Sequence, residues 1–359
     1  MLNYIFKRLL LMIPTMLGIT LVTFFMIKLA PGDPITMKLN LEGLAKSEEV
    51  SPEVIKMMRR QYGLDTPLPT HYDRLIKNLK PQWLAKAGRW FGENAIQYRK
   101  WFLRIAVFDF GRSLKPDRRP VLDKIREALP VTLTLNILDI IIVYTVSVLL
   151  GVYSALNRNT LKDKIMMVGM FVLYSLPSFW IAILLLMYFA GGEHFSWFPL
   201  GGFLSDGMDT AAWYAKAGNI VWHLVLPVVV MVYGSFAFLS RFTRANMLEV
   251  LGQDYVRTAR AKGLSPGVVI WRHGLRNAMI PLITLIGTLL PELLGGSVII
   301  EEIFNIPGMG LLSFESLKAR DYTTIMGIAT ISAGLTLISL FLADLAYKWA
   351  DPRITFEKL

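Results

Sequence analysis

Long apolar runs alternate along this chain with short basic ones. Six runs, at residues 9–29, 131–156, 165–190, 223–239, 280–300 and 325–347, are of the length a helix needs to cross about 30 Å of hydrocarbon, roughly 20 residues. The pattern predicts an all-α polytopic membrane protein with six transmembrane helices. The first run follows Lys7 and Arg8 as a signal peptide would, but its apolar core is too long and no small-residue cleavage site follows, so it reads as an uncleaved span. Pro227 and Pro291 interrupt or open the fourth and fifth runs, each among glycines, which makes those boundaries the least sharply defined.

The polar intervals divide the chain into residues 1–30 (cytoplasmic N-terminus and first span), 31–128, 129–348 (five-helix core) and 349–359 (C-terminal tail). Lys and Arg accumulate on the cytoplasmic side of short loops. One set of loops carries Lys7, Arg8, Arg158, Lys162, Lys164, Arg241, Arg244, Arg257, Arg260, Lys262, Arg272, Arg276, Lys348, Arg353 and Lys358, while the alternate short loops hold only Lys216, Lys318 and Arg320. Both termini and the loop 240–279 are therefore expected in the cytoplasm. Residues 31–128 then form an extracytoplasmic domain after the first span. Within it Ser51 and Pro52 read as an N-cap and first-turn proline of a helix that Gly63 ends. Trp83, Trp90, Phe91, Trp101, Phe102 and Phe108 form an aromatic-rich stretch suited to the outer membrane surface or to packing over the span ends.

The polar segment 254–281 is expected to be helix, tight turn, helix. A first helix through Tyr255, Val256 and Ala259 stops at Gly263, which tolerates a left-handed backbone. Ser265 and Pro266 open a second helix, in which Leu264, Val268, Trp271 and Leu275 recur at three- and four-residue spacing as one apolar stripe, with Arg272, His273 and Arg276 off it.

Composition narrows the functions available. At 54% hydrophobic residues and a mean hydropathy of +0.46, the chain is too apolar for an ordinary soluble enzyme. Its net charge of +11 is spread over loops between apolar runs, as in membrane proteins, so a nucleic-acid partner is not expected. A DNA-binding reading of the helical pair fails because spans enter and leave beside it, leaving no three-helix core to present a recognition helix. With no cysteine, nothing extracytoplasmic is held by disulfides. No glycine precedes a lysine, so the phosphate-cradling loop of an ATPase is absent. Four dispersed histidines give no recognisable zinc spacing, and neither HExxH nor GxSxG occurs. No catalytic or metal-ligating residues are assigned.

Several strings carry a family resemblance. YVRTARAKGLSP and RHGLRNAMIP, within residues 255–281, resemble the cytoplasmic coupling loop of ABC importer permeases in its dipeptide and oligopeptide form. KRLLLMIPTMLGITLVTFFMIKLAPGDP near the start, QYGLD at 61–65, FGRSL at 110–114, LPVTLTL at 129–135, EEIFNIPGMG at 301–310 and DPRI at 351–354 extend the match over almost the whole chain. Together they resemble the first-type permease subunit of peptide and nickel importers. The general loop begins with glutamate and two alanines, whereas here Arg257, Thr258 and Ala259 stand there, the form usual in the peptide subfamily. Residues 80–99 read as an insertion in the extracytoplasmic loop.

The resemblance implies a type I ABC importer permease fold in a bacterial inner membrane, moving short peptides or peptide-like solutes by alternating access. It implies a second, homologous permease subunit, two cytoplasmic ABC ATPases that carry ATP and Mg, and an extracytoplasmic substrate-binding protein, with no cofactor on this chain itself. The ATPase-coupling residues are then Asp254, Tyr255, Arg257, Ala259, Arg260, Lys262, Gly263, Leu264 and Ser265: Ala259 and Gly263 for close approach, Leu264 as anchor, the basic side chains for an acidic rim. An ATP-independent secondary transporter or channel is the alternative, and it would place ionisable residues in its spans. Asp139, Glu292 and Asp344 are of that kind. Asp139 and Glu292 are the candidates for the translocation path. Glycines such as Gly295 and Gly296 suit close packing of helices.

Overall fold

The computed structural model describes residues 2–29, 53, 57, 82–105, 107–191, 194–289 and 296–350. These are helical throughout, apart from loops and a single β-bridge between Arg112 and Pro120. The helices are α1 (Leu2–Leu29), α2 (Gln82–Ile105), α3 (Val121–Leu156), α4 (Leu161–Ser175), α5 (Ser178–Phe189), α6 (Trp213–Leu251), α7 (Asp254–Ala261), α8 (Arg276–Leu289), α9 (Val298–Ile303), α10 (Met309–Lys318) and α11 (Tyr322–Ala350). A short turn Pro266–Val268 and a π-helix Val269–Leu275 join α7 to α8. The helix expected between Ser51 and Gly63 lies outside the described residues save for Glu53 and Met57, both helical.

Six spans were expected, and the described helices give four outright: Ile5–Ile27, Val121–Leu156, Trp213–Leu251 and Tyr322–Leu342. A fifth arises if α4 and α5 count as one span, but they meet at 91°. The continuous helix expected over 165–190 is thus broken. Pro177 supplies no N–H and pushes the residue before it out of the α region, and Leu176 is accordingly extended at φ −85°, ψ 130°. The Tyr233 hydroxyl donates to the Leu176 carbonyl oxygen at 2.7 Å, which satisfies an acceptor freed at the break. Tyr233→Phe should therefore lower stability by about 1 kcal/mol, the net worth of one such bond, measurable as a small fall in the melting temperature of the detergent-purified chain. In the expected fifth span, α8 covers only 14 residues and residues 290–295, with Pro291, Glu292 and Gly295, lie outside the described set.

The structure forms two compact units, residues 1–126 with 313–334 and residues 127–312 with 335–359. In the first, the FGRSL segment is knitted to the start of α11. Asp321 accepts from the Ser113 hydroxyl (2.5 Å), the Leu114 N–H (2.9 Å) and the Thr324 hydroxyl (2.6 Å). Lys124, itself buried, donates to Ser113 at 2.9 Å and pairs with Asp117 at 2.9 Å. Partial burial disfavours the Asp117 carboxylate, yet the Lys124 ammonium outweighs it and holds its pKa below the ordinary value. The stretch read as an insertion is the amphipathic helix α2. Its Tyr98 reaches the Thr20 hydroxyl at 2.9 Å and meets Phe24 edge-on, and Trp90 lies against Phe25.

In the second unit α6 is the central element, and α4, α5 and α8 pack on it. Its buried side includes Leu224, Leu226, Val228, Val230 and Val232. Pro227 is accommodated within this 39-residue helix, so the expected 223–239 segment is only its middle. The C-terminal part of α6 is held by a buried carboxylate. Asp163 accepts from Arg244 at 2.9 Å, from the Ser154 hydroxyl and from the Asn159 N–H at 3.1 Å. Thr160 caps the N-terminus of α4 by accepting from the Asp163 N–H. One side chain thereby fastens the ends of α3, α4 and α6.

Candidate functional site

Three features of the second unit position the candidate residues: the helix-turn-helix between α6 and α8, a cavity beside α3 and α6, and a buried carboxylate in the 301–310 segment.

The first helix of the loop is α7, and it ends as its sequence requires. Gly263 has φ +76°, and its N–H donates to the Arg260 carbonyl at 2.9 Å while the Leu264 N–H returns to that of Ala259 at 3.3 Å. A Cβ on Gly263 would meet nothing within 4 Å. The glycine is needed here for its backbone conformation. Ser265 and Pro266 occupy the N-cap and first-turn positions, but the Ser265 side chain makes no cap hydrogen bond.

The inward face of the second arm is distinct from the apolar stripe that spacing marks. The π-helix widens the turn, so the inward position steps five residues from Val269 to Gly274 and then four at a time to Ala278 and Leu282, all buried. Gly274 packs under side chains of α6, where a Cβ would sit 3.3 Å from Met247 Cε and 3.4 Å from Leu251 Cδ2. Val256, Ala259 and Val269 form a small core between the two arms, with Val250 and Leu251 against it, and Asn277 donates to the Tyr255 hydroxyl at 3.0 Å. Ala259 thus approaches its own chain closely. Leu264 (41%), Val268 (38%) and Trp271 (51%) remain exposed. Around them Asp254, Arg257, Arg260, Lys262 and Ser265 are exposed too; Arg257 pairs with Asp254 at 3.5 Å at the surface, which contributes little. A rigid, internally packed hairpin therefore presents exposed apolar side chains among basic ones.

The cavity has a volume of about 490 Å³ and is lined by one face of α3, Asn136, Asp139, Ile140 and Val143, together with Tyr144 and with Ser235 and Phe238 of α6. Residues at i, i+3, i+4 and i+7 share a helix face. Among the described residues, Asp139 Oδ1 and the Tyr144 hydroxyl are buried without a hydrogen-bond partner, and none of those that line the cavity is basic. Glu292, the other residue expected on the path, lies outside the described residues.

The EEIFNIPGMG segment folds around Glu301, which is fully buried. Its carboxylate accepts from the Thr132 hydroxyl at 3.0 Å and the Leu311 N–H at 2.9 Å, while Thr132 accepts from the Met309 N–H at 2.7 Å. A Cβ on Gly296 would lie 2.6 Å from Glu301 Oε1, and one on Gly308 would lie 2.6 Å from Thr132 Oγ1. The glycines of the segment make room for the carboxylate. Sequence reasoning did not single out Glu301, Asp163 or Asp321. The available signals were a charged pair, Glu301–Glu302, closing an apolar run, and the LPVTLTL and FGRSL strings that supply Thr132 and Ser113.

Similarity to known proteins covers the whole chain. Residues 147–356 match the family described as binding-protein-dependent transport system inner membrane component, and residues 1–136 match its N-terminal family. The chain is 35% identical to the oligopeptide transport system permease protein AppB of Bacillus subtilis over 98% of this chain and 99% of that protein. It is 36% identical to the dipeptide transport system permease protein DppB of the same organism, over 100% and 99%. It is 34% identical to the inner membrane ABC transporter permease protein YejB of Escherichia coli O157:H7, over 99% of each.

Proposed function

This chain belongs to the inner membrane components of binding-protein-dependent transport systems, and from that premise we propose that it imports short peptides as one of two permease subunits driven by separate ATPases. The observation that carries the reading is the hairpin 254–275, whose core is closed by Val256, Ala259 and Val269 and which still exposes Leu264, Val268 and Trp271. Apolar side chains ringed by Arg and Lys suit a groove with an acidic rim on a cytoplasmic partner. Both arms continue into the bundle, one from α6 and the other into α8. A displacement of the hairpin would reach the cavity through α6, which carries Ser235 and Phe238 of its lining.

In this assembly the chain holds no cofactor, and ATP and Mg are bound by two cytoplasmic ABC ATPase subunits. A homologous permease completes the path, an extracytoplasmic binding protein delivers substrate, and both termini are cytoplasmic. Asp139 lines this chain's share of the path. Alternating access follows when ATP draws the ATPases together and the bundle changes between two packings. Purification of the tagged chain in mild detergent should recover a second permease and ATPase subunits, and the reconstituted complex should take up peptide only with ATP. A chain recovered alone that transports without ATP would replace this reading with that of a secondary transporter.

A further inference from the structure

The cavity beside α3 holds a carboxylate with an oxygen that nothing among the described residues satisfies. Asp139 Oδ1 is buried there without a hydrogen-bond partner, the Tyr144 hydroxyl is in the same state, and the described lining contains no basic side chain. An ionised group in the middle of a span is costly and is tolerated where it faces a cavity or meets a counter-charge. Here the cavity is present and the counter-charge is not.

We propose that the cavity binds the primary ammonium group of the transported solute, with Asp139 as its counter-ion. The proposal rests on the importer reading above and names the chemistry that one part of its path recognises. An ammonium offers three donors and no acceptor, which matches a carboxylate flanked by hydroxyl oxygens: Tyr144 on the same helix, Ser235 on α6 and Ser297 at the start of α9 all line the cavity. Ile140, Val143 and Phe238 supply apolar wall for the rest of the molecule. A volume of about 490 Å³ falls within the range of roughly 300–1,000 Å³ usual for small-molecule sites. A divalent metal ion fits the described lining poorly, since calcium takes at least six oxygens and usually several carboxylates, whereas Asp139 is the single carboxylate among the described lining residues. One ion pair against an otherwise neutral wall also suits a path, where binding must favour entry yet permit release.

The chain lacks cysteine, so Tyr174→Cys, at a lining position outside the proposed ammonium contacts, places a single thiol in this subunit at the cavity wall. In the purified complex, without binding protein, the rate at which a maleimide labels that thiol reports occupancy. Trialanine amide at millimolar concentration should slow labelling, and N-acetyl-trialanine amide, which lacks the ammonium, should not. Adding Asp139→Asn should weaken the protection about tenfold, as loss of a charge-assisted hydrogen bond would, and Asp139→Glu should largely restore it. Restoration by glutamate would not follow from a merely structural role. Equal protection by the acetylated peptide, protection that survives Asp139→Asn, or no protection with Asp139 in place would each overturn the assignment. ATP-driven uptake by the same complex separates the two readings. Uptake without amine-dependent protection removes only this inference, and failure of uptake by the unaltered complex counts against the importer reading.

Discussion

Leu264→Glu should release the ATPases from the purified complex and abolish ATP-driven uptake, while the chain still inserts and unfolds as before. Leu264 is 41% exposed and follows directly on Gly263; it belongs to neither hydrophobic cluster of the loop. Changes at such a position usually alter folding stability by no more than about 0.5 kcal/mol. In an interface the position differs, because a central apolar anchor contributes about 2–4 kcal/mol and a carboxylate put in its place would also be desolvated without a partner. A loss of that size weakens association by about 30- to 1,000-fold. Leu264→Met, which keeps the apolar contact, should co-purify with ATPases normally. Gly263→Ala should give an intermediate result, since φ +76° costs a residue with a Cβ about 1 kcal/mol without altering the exposed side chains. If Leu264→Glu retains its ATPases at the usual ratio, the hairpin is not their docking element.

Glu301→Ala is expected to be the most destabilising single change in the second unit. Its carboxylate is fully buried and is the shared acceptor of the Thr132 hydroxyl and the Leu311 N–H. Removing it strands buried donors and leaves a void lined by Gly296 and Gly308, whose missing side chains had made room for it. Each buried donor left without its acceptor costs about 1–3 kcal/mol, so stranding the two costs about 2–6 kcal/mol. Thermal unfolding of the detergent-solubilised complex should show a clear fall in melting temperature. Glu301→Gln, which keeps one acceptor oxygen, should lie between the two. A melting curve for Glu301→Ala that overlays the unaltered chain would mean that the 301–310 segment is held by its backbone alone.

Much of this architecture was legible before any coordinates. Apolar length and loop charge pointed to a polytopic helical bundle, and Gly263 with Ser265 and Pro266 marked the turn of the hairpin, because those residue types fix backbone angles locally. Spacing marked Leu264, Val268, Trp271 and Leu275 as an apolar stripe, and the first three are exposed; it did not mark the inward face of the second arm, which the π-helix carries through Val269 and Gly274. Ala259 read as a small residue for a partner's approach and instead closes the hairpin's own core. The bend at Leu176–Pro177 was available in Pro177, but the apolar run through it is unbroken, so hydropathy alone passed over it.

What the sequence by itself determined is the solvent: runs of apolar residues long enough for the bilayer, basic loops between them and an absent phosphate-binding loop. These are properties of composition and order, and no contact is required to read them. Only the tertiary structure decided which charges are structural and which are unspent. Asp163 and Asp321 look as costly in the sequence as Asp139, yet Arg244 and Ser154 satisfy the first, and Ser113 and Thr324 the second. Those partners lie up to 208 positions away along the chain. Partners so distant are brought together by packing, and a periodicity of three or four residues contains no trace of them. Asp139 stands apart because the described residues supply it a cavity and leave its Oδ1 without a partner.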